Sequence, residues 1–198
     1  MAITAPRGTQ DFLPEQTADW QILEQKIRQI CSLYGFGEIR TPLFESTELF
    51  LRGIGETTDV VTKEMYTFND RGGRSMTLRP ENTASVVRAY LEHKLYGDPK
   101  VHKFYYMGPM FRHDRPQAGR YRQFNQFGVE EIGSKDPAVD AEIIAMAFQL
   151  FRELGLKRFS PSSQFRRLPE MRPHLPAEAS RFLRRQKGSA LRRLQSPL

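Results

Sequence analysis

Tyr105-Tyr106-Met107-Gly108-Pro109-Met110-Phe111-Arg112-His113-Asp114-Arg115, closed by Gly119-Arg120-Tyr121-Arg122-Gln123-Phe124-Asn125-Gln126, is the stretch on which the fold turns. Val101 to Met107 is an aromatic-rich strand candidate and Tyr121 to Ile132 is another. Arg112 to Arg120 between them is polar, with Pro116 and Gly119 inside it, so the three pieces form a long hairpin with a charged tip. Arg112, Arg115, Arg120 and Arg122 fall within eleven residues. Guanidinium forks grip phosphate oxygens bidentately and never lose their charge, so such a hairpin suits a triphosphate. Arg112 directly follows the apolar end of the first strand, where a rigid element would hold it. On the second strand, alternation puts Gln126, Gly128 and Glu130 on one face. Gly128 would leave room for a ligand there, and an amide with a carboxylate suits an ammonium group. Glu131 faces the other way and reads as structural.

Outward from the hairpin, Thr77-Leu78-Arg79-Pro80-Glu81-Asn82-Thr83-Ala84 links a strand to a helix. Asn82 or Thr83 can cap a helix that runs to about His93. Glu81 then stands at the junction, either facing a pocket or only favouring the helix dipole, an effect of ~0.3–1 kcal/mol. Met65 to Phe68 and Ser75 to Leu78 flank the turn Asn69-Asp70-Arg71-Gly72-Gly73, a second hairpin. Trp20, Leu23, Ile27, Ile30 and Tyr34 make one helical stripe, with Gly35 placed to cap its end. Cys31 beside that stripe reads as core. Phe36 to Thr41 reads as a strand stopped by Pro42, and Leu43 to Gly53 as a looser helical stretch. Asp136 caps a last helix with Pro137 at its first position, buried through Ile144, Phe148 and Phe151. Paired short strands with helices beside them predict an α+β fold, a mainly antiparallel sheet flanked by helices.

Charge and composition exclude several classes. The 198 residues carry 30 Lys+Arg and 23 Asp+Glu, but nine of the basic and two of the acidic residues lie in 160–198. The first 159 residues therefore hold 21 charges of each sign, and the net +7 gives no reason to expect nucleic acid on the main body. One Cys fits a reducing compartment and no disulfide framework. The apolar run Ile143 to Phe148 is far below the ~20 residues of a membrane span, and no secretory h-region opens the chain, so a cytoplasmic protein away from membranes is expected. There is no P-loop. Gly53-Ile54-Gly55 begins like a dinucleotide fingerprint, but Thr58 stands where its third glycine belongs. The four histidines show no helical pairing, so no metal site is expected.

Taken together, the strand Gly37-Glu38-Ile39-Arg40-Thr41-Pro42, the Leu78-to-Ala84 segment and the arginine hairpin resemble the catalytic domain of histidyl-tRNA synthetase, a class II aminoacyl-tRNA synthetase, from about Arg7 to Phe159. The resemblance implies ATP-dependent activation of histidine to an adenylate and its transfer to tRNA(His). It implies ATP as a substrate, Mg²⁺ arriving with the ATP, and a homodimer with Pro42 near its interface. Arg112 would bind the α-phosphate and act in catalysis. Glu81 and Thr83 would hold the histidine α-amino group, Gln126 and Glu130 would line the amino-acid pocket, and Asp114 and Arg120 would meet ATP and the acceptor end. The alternative is a non-catalytic paralogue that binds histidine and regulates another enzyme.

The family's third motif, its histidine-specific loop and an anticodon-binding domain have no counterpart here, so low or no activity is expected of this chain alone. Residues 1–159 read as a partial catalytic domain and 160–198 as a basic, Pro- and Arg-rich tail. The family usually continues Asn-Ser-[Ile/Val]-Gly after a strand like Leu156 to Phe159. Gln164-Phe165-Arg166-Arg167 can be encoded CAA TTC CGT CGG, which one base later begins Asn-Ser-Val-Gly. A frameshift near Phe159 is therefore expected; a basic arm that folds on RNA is the competing account.

Overall fold

The computed structural model describes residues 2–54, 64–113, 117 and 119–156. The tail 160–198, Asp114 and Arg115, and Gly55 and Thr58 of the glycine-rich stretch lie outside the described residues. In chain order the elements are α1 (Pro14–Leu33), β1 (Gly37–Glu38), β2 (Phe44–Ser46), α2 (Thr47–Ile54), β3 (Thr67–Asn69), β4 (Ser75–Leu78), α3 (Thr83–Glu92), a 3₁₀ turn (Leu95–Gly97), β5 (His102–Phe111), β6 (Gln123–Ile132) and α4 (Ala138–Glu153). The described residues fall into two compact units, one within 1–24 and 35–133, the other within 25–34 and 134–198. The α+β class holds.

The first unit contains two three-stranded sheets, ordered β1-β5-β6 and β2-β4-β3. β5 and β6 are antiparallel from His102↔Ile132 to Phe111↔Gln123, while β1 lies parallel to β5 through Gly37↔Phe104 and Glu38↔Tyr105. The core behind the long pair is Val86, Tyr106 and Met110, with Ile39, Phe104 and Phe124 packed around it.

Two strands run differently from the local pattern. β1 covers only Gly37–Glu38, so from Tyr106 onward β5 has no strand partner on that side, where Arg79 takes the Phe111 N–H and Pro109 C=O instead. The missing strand lets β5 pass through Gly108-Pro109, where the sequence pattern ends it at Met107. Pro109 opposite Asn125 turns its missing N–H away from β6, so no ladder bond is lost. The second difference is Phe44–Ser46, which forms a strand on β4 rather than the start of a helix; α2 begins at Thr47. The β3–β4 hairpin forms as expected, its turn tied by the Asp70 carboxylate to the Gly72 and Arg74 amides at 2.8 and 2.9 Å.

In the second unit Ile27, Ile30 and Cys31 are buried, and burial pushes the Cys31 thiol up to about 11, so it is an inert core residue. Gly35 takes the left-handed conformation (φ 76°) that ends α1. Asp136 caps α4 by accepting from the Ala138 amide at 2.9 Å. The buried stripe of α4 is Ala141, Ala145, Met146 and Leu150, whereas Ile144 and Phe148 are half-buried and Phe151 is 41% exposed. A helix that is apolar over most of its circumference offers two stripes of equal period, and periodicity alone cannot choose between them. Tyr34 Oη donates to Gln149 Oε1 at 3.0 Å within the same unit, and Lys26 pairs with Glu153 at 3.1 Å.

Candidate active site

The junction between β4 and α3 builds one wall. Pro80 ends the strand, and Glu81 folds over Asn82 to take the first two helical amides: Thr83 N–H at 2.5 Å and Ala84 N–H at 3.0 Å. The helix is thus capped by a carboxylate one residue before the cap position, and Asn82 makes no capping bond of its own. Asn82 turns inward instead, its Oδ1 accepting from the Thr41 hydroxyl (2.7 Å) and from Arg79 Nη1 (3.2 Å). Those two amides hold the Glu81 carboxylate in place, while each oxygen keeps a lone pair for another donor.

The β5–β6 face builds the second wall. Thr83 Oγ1 donates to Glu130 Oε1 at 2.7 Å, which ties the start of α3 to β6. Tyr106, opposite Gly128 in the ladder, brings its phenol beside Thr83 and Glu130. A Cβ on Gly128 would stand 2.3 Å from the Tyr106 hydroxyl oxygen. The space at Gly128 is therefore filled by Tyr106, not left for a ligand: the aromatic ring lies across the strand onto its glycine partner. Burial, chiefly, with the nearby Glu130 and Glu81 charges, pushes the Tyr106 phenol up to about 12. Burial also raises the Glu130 carboxyl, helped by the Glu81 charge and opposed by the Thr83 and Tyr106 hydroxyls.

Arg112 stands where the sequence places it, immediately after β5. Its Nε donates to the Pro80 carbonyl at 2.9 Å and its guanidinium lies 5.3 Å from the Phe124 ring centroid. Pro80 C=O belongs to the peptide that leads into Glu81, so one peptide unit separates the cation's anchor from the carboxylate. Neither terminal nitrogen of Arg112 has a partner among the described residues.

The other arginines of the hairpin divide. The Arg122 backbone N–H donates to Gly8 C=O at 2.7 Å, and its side chain covers Gly8 so closely that a Cβ there would meet it at 2.7 Å. Arg122 thus secures the N-terminal segment rather than extending a phosphate clamp. Arg120 lies exposed in the tip, bridged to Gln117 through the backbone. Gln126 is opposite Gly108, and its buried Oε1 accepts no hydrogen bond among the described residues. Glu131 is turned to Lys103 at 3.8 Å, away from this face. Among the described residues no group of three or more His, Cys, Asp or Glu side chains could hold a metal ion.

Two residues that local pattern did not single out join the predicted set. Tyr106 was signalled only by its register opposite Gly128, and Arg79 by nothing more than its place before Pro80.

A family model for histidyl-tRNA synthetase matches residues 8–162. The chain belongs to the histidyl-tRNA synthetase family. It is 62% identical over 175 residues to a histidine–tRNA ligase of Desulforamulus reducens, covering 88% of this chain and 42% of that protein. With the histidine–tRNA ligase of Anoxybacillus flavithermus it shares 65% identity over 159 residues, 80% of this chain and 38% of that one. The solved apo histidyl-tRNA synthetase of S. aureus superposes with a TM-score of 0.68 at 50% identity, over 79% of this chain and 36% of the other. The chain thus spans about two-fifths of the length of the curated relatives it matches. All the described site residues named above fall inside the family match.

Proposed function

We propose that this chain carries the activation half of a histidine–tRNA ligase site. Histidine's α-amino group binds at Glu81 and Thr83, and Gln126 and Glu130 line the rest of the amino-acid pocket. Arg112 takes the α-phosphate of ATP, with Asp114 and Arg120 in the hairpin tip meeting the nucleotide and the acceptor end of tRNA. Mg²⁺ enters with ATP as part of the substrate, screening the polyphosphate. A histidine carboxylate oxygen attacks the α-phosphorus, pyrophosphate leaves, and the adenylate forms; a ribose hydroxyl of tRNA(His) then takes the histidyl group and AMP leaves. Negative charge gathers on the α-phosphoryl oxygens in the first step. A cationic donor already fixed there stabilises it without reorganising, and removing one such donor typically costs ~10²–10³ in rate.

One observation carries this reading. The Arg112 guanidinium is anchored on Pro80 C=O and Phe124, with neither terminal nitrogen paired among the described residues, one peptide from Glu81. The family match, the ~60% identity of the ligases and the orphaned Gln126 Oε1 support it. The division of the chain at 159 into a catalytic portion and a basic tail belongs to this proposal; the family match ends at residue 162, while the alignment with the Desulforamulus reducens ligase, over 175 residues, runs into the tail. A homodimer and a cytoplasmic setting are part of the same proposal; among the described residues no helix is long and apolar enough to cross a membrane.

The test is calorimetry with ATP–Mg²⁺ and with histidine. The chain binds both, and Arg112→Ala loses ATP while keeping histidine. Histidine binding with no ATP binding in the unaltered chain would sink the catalytic reading and favour a histidine-sensing regulator. Histidine-dependent ATP–pyrophosphate exchange is expected to be weak in these 198 residues assayed by themselves, which span about two-fifths of the length of the matched ligases.

A further inference from the structure

Arg79 is 5% exposed, yet no carboxylate pairs with it among the described residues. Its guanidinium is spread over neutral oxygens. Nε donates to Pro109 C=O at 3.0 Å; Nη1 donates to Thr41 C=O, Thr41 Oγ1 and Asn82 Oδ1, each at 3.2 Å. Nη2 lies where Gly108 leaves space, 2.8 Å from the position a Cβ would take. The backbone of the same residue donates to Leu43 C=O and accepts from Phe111 N–H, both at 3.0 Å. Pro109 and Phe111 are alternate residues of β5, and both turn their backbone groups away from β6 toward Arg79.

Burial draws the Arg79 pKa down, so the charge works against the environment rather than with it. A hydrophobic side chain of like volume would fill the same space without that desolvation cost. What only a guanidinium supplies is a rigid planar fork that fixes several acceptors at set angles. Its acceptors belong to the segment after β1 (Thr41), the end of β5 (Pro109) and the start of α3 (Asn82). Arg112 follows the second of these and Glu81 precedes the third.

We propose that Arg79 is a positioning residue that acts through Arg112: by holding Thr41, Pro109 and Asn82 on one guanidinium, it fixes the Arg112 anchor against the Glu81 carboxylate. The inference rests on the reading of Arg112 as the phosphate-binding group, and it names what aligns that group with the amino-acid pocket.

The test uses the full chain labelled with ¹⁵N-arginine. The Arg112 Nε–H, held on Pro80 C=O, gives a slowly exchanging resonance that is assigned by its loss in Arg112→Lys. In Arg79→Met the melting temperature is kept, but this resonance moves and exchanges at least tenfold faster. ATP affinity falls at least tenfold in Arg79→Met, and the same change made on Arg112→Lys, which keeps the charge without the guanidinium fork, lowers it no further. A folded Arg79→Met with an unshifted, slowly exchanging Arg112 Nε–H overturns the proposal, as does an equal loss of ATP affinity in both backgrounds. Should Arg79→Met not fold, Arg79→Lys keeps the charge and loses the fork: release of the Arg112 signal supports the proposal, and its retention overturns it. If the unaltered chain binds no ATP, the functional reading fails, while the resonance still decides whether Arg79 positions Arg112.

Discussion

The two sheets of the first unit are built on different terms. β5 and β6 run ten residues each in unbroken register, cover the Val86–Tyr106–Met110 core, and bear Glu130, Gln126 and the Phe124 ring that lies against Arg112. β2, β4 and β3 are three, four and three residues long and bear no predicted site residue. Their centre is Thr77, wholly buried, whose hydroxyl lies 2.9 Å from both Thr67 and Thr47. Their opposite face leaves Phe44 and Phe68 about half exposed, edge to face at 6.3 Å. The long pair offers a ladder stiff enough to index charged groups; the short sheet hands the chain, at Leu78, to the junction that completes the site. Neutral hydroxyls suffice for the second task, whereas the first holds ionised groups in partial burial and needs every neighbour in place.

The sharpest way to break this contrast is Gly128→Ala. Its methyl would stand 2.3 Å from the Tyr106 hydroxyl and 2.4 Å from Cζ, and the ring has to leave its seat. Thermal unfolding should report a loss of about 1–3 kcal/mol, the usual range for overpacking. Histidine affinity falls with it, because Glu130 loses its aligned neighbour. On the short sheet, Thr77→Val removes a hydroxyl whose partners can turn to each other or to water, and costs about 1 kcal/mol in denaturant titration. ATP and histidine affinities stay as they were; a change in either would show that the two sheets are coupled.

The smallest effect is in pH. The Glu130 carboxyl is raised in the folded chain, so between the ordinary carboxylate value and the raised one the native state holds more protons than the unfolded state. The contribution of Glu130 to stability is thus fully present below the ordinary value and is lost as pH rises through the raised one. Melts across mildly acidic pH should show that decline, and Glu130→Gln should flatten it. An unaltered slope in Glu130→Gln would assign the titration to another group.

Much of the site could be read from the chain because its signals are local. An apolar run that ends in Arg112, a Pro-Glu pair before a helix, and alternation along β6 each need only a few neighbouring residues. The misreadings came from pairings between distant segments. Phe44–Ser46 becomes a strand only because β4, some thirty residues on, lies beside it. Pro109 can sit within β5 only because β1 is too short to need its N–H. Gly128 looked like an opening until Tyr106 was found across the ladder, and Arg79 showed nothing locally of the three segments it joins. Residue type announced the chemistry; long-range register decided which groups were free to perform it.

The sheet order β1-β5-β6 has a further consequence. On the flank of β6 away from β5, alternate residues direct amide and carbonyl groups outward, and no strand among the described residues receives them. Such a flank is a template for any extended polypeptide, including the same flank of another molecule. Among the described residues this ten-residue flank is thus the longest strand edge open to addition of a second molecule's strand, with no unfolding needed first.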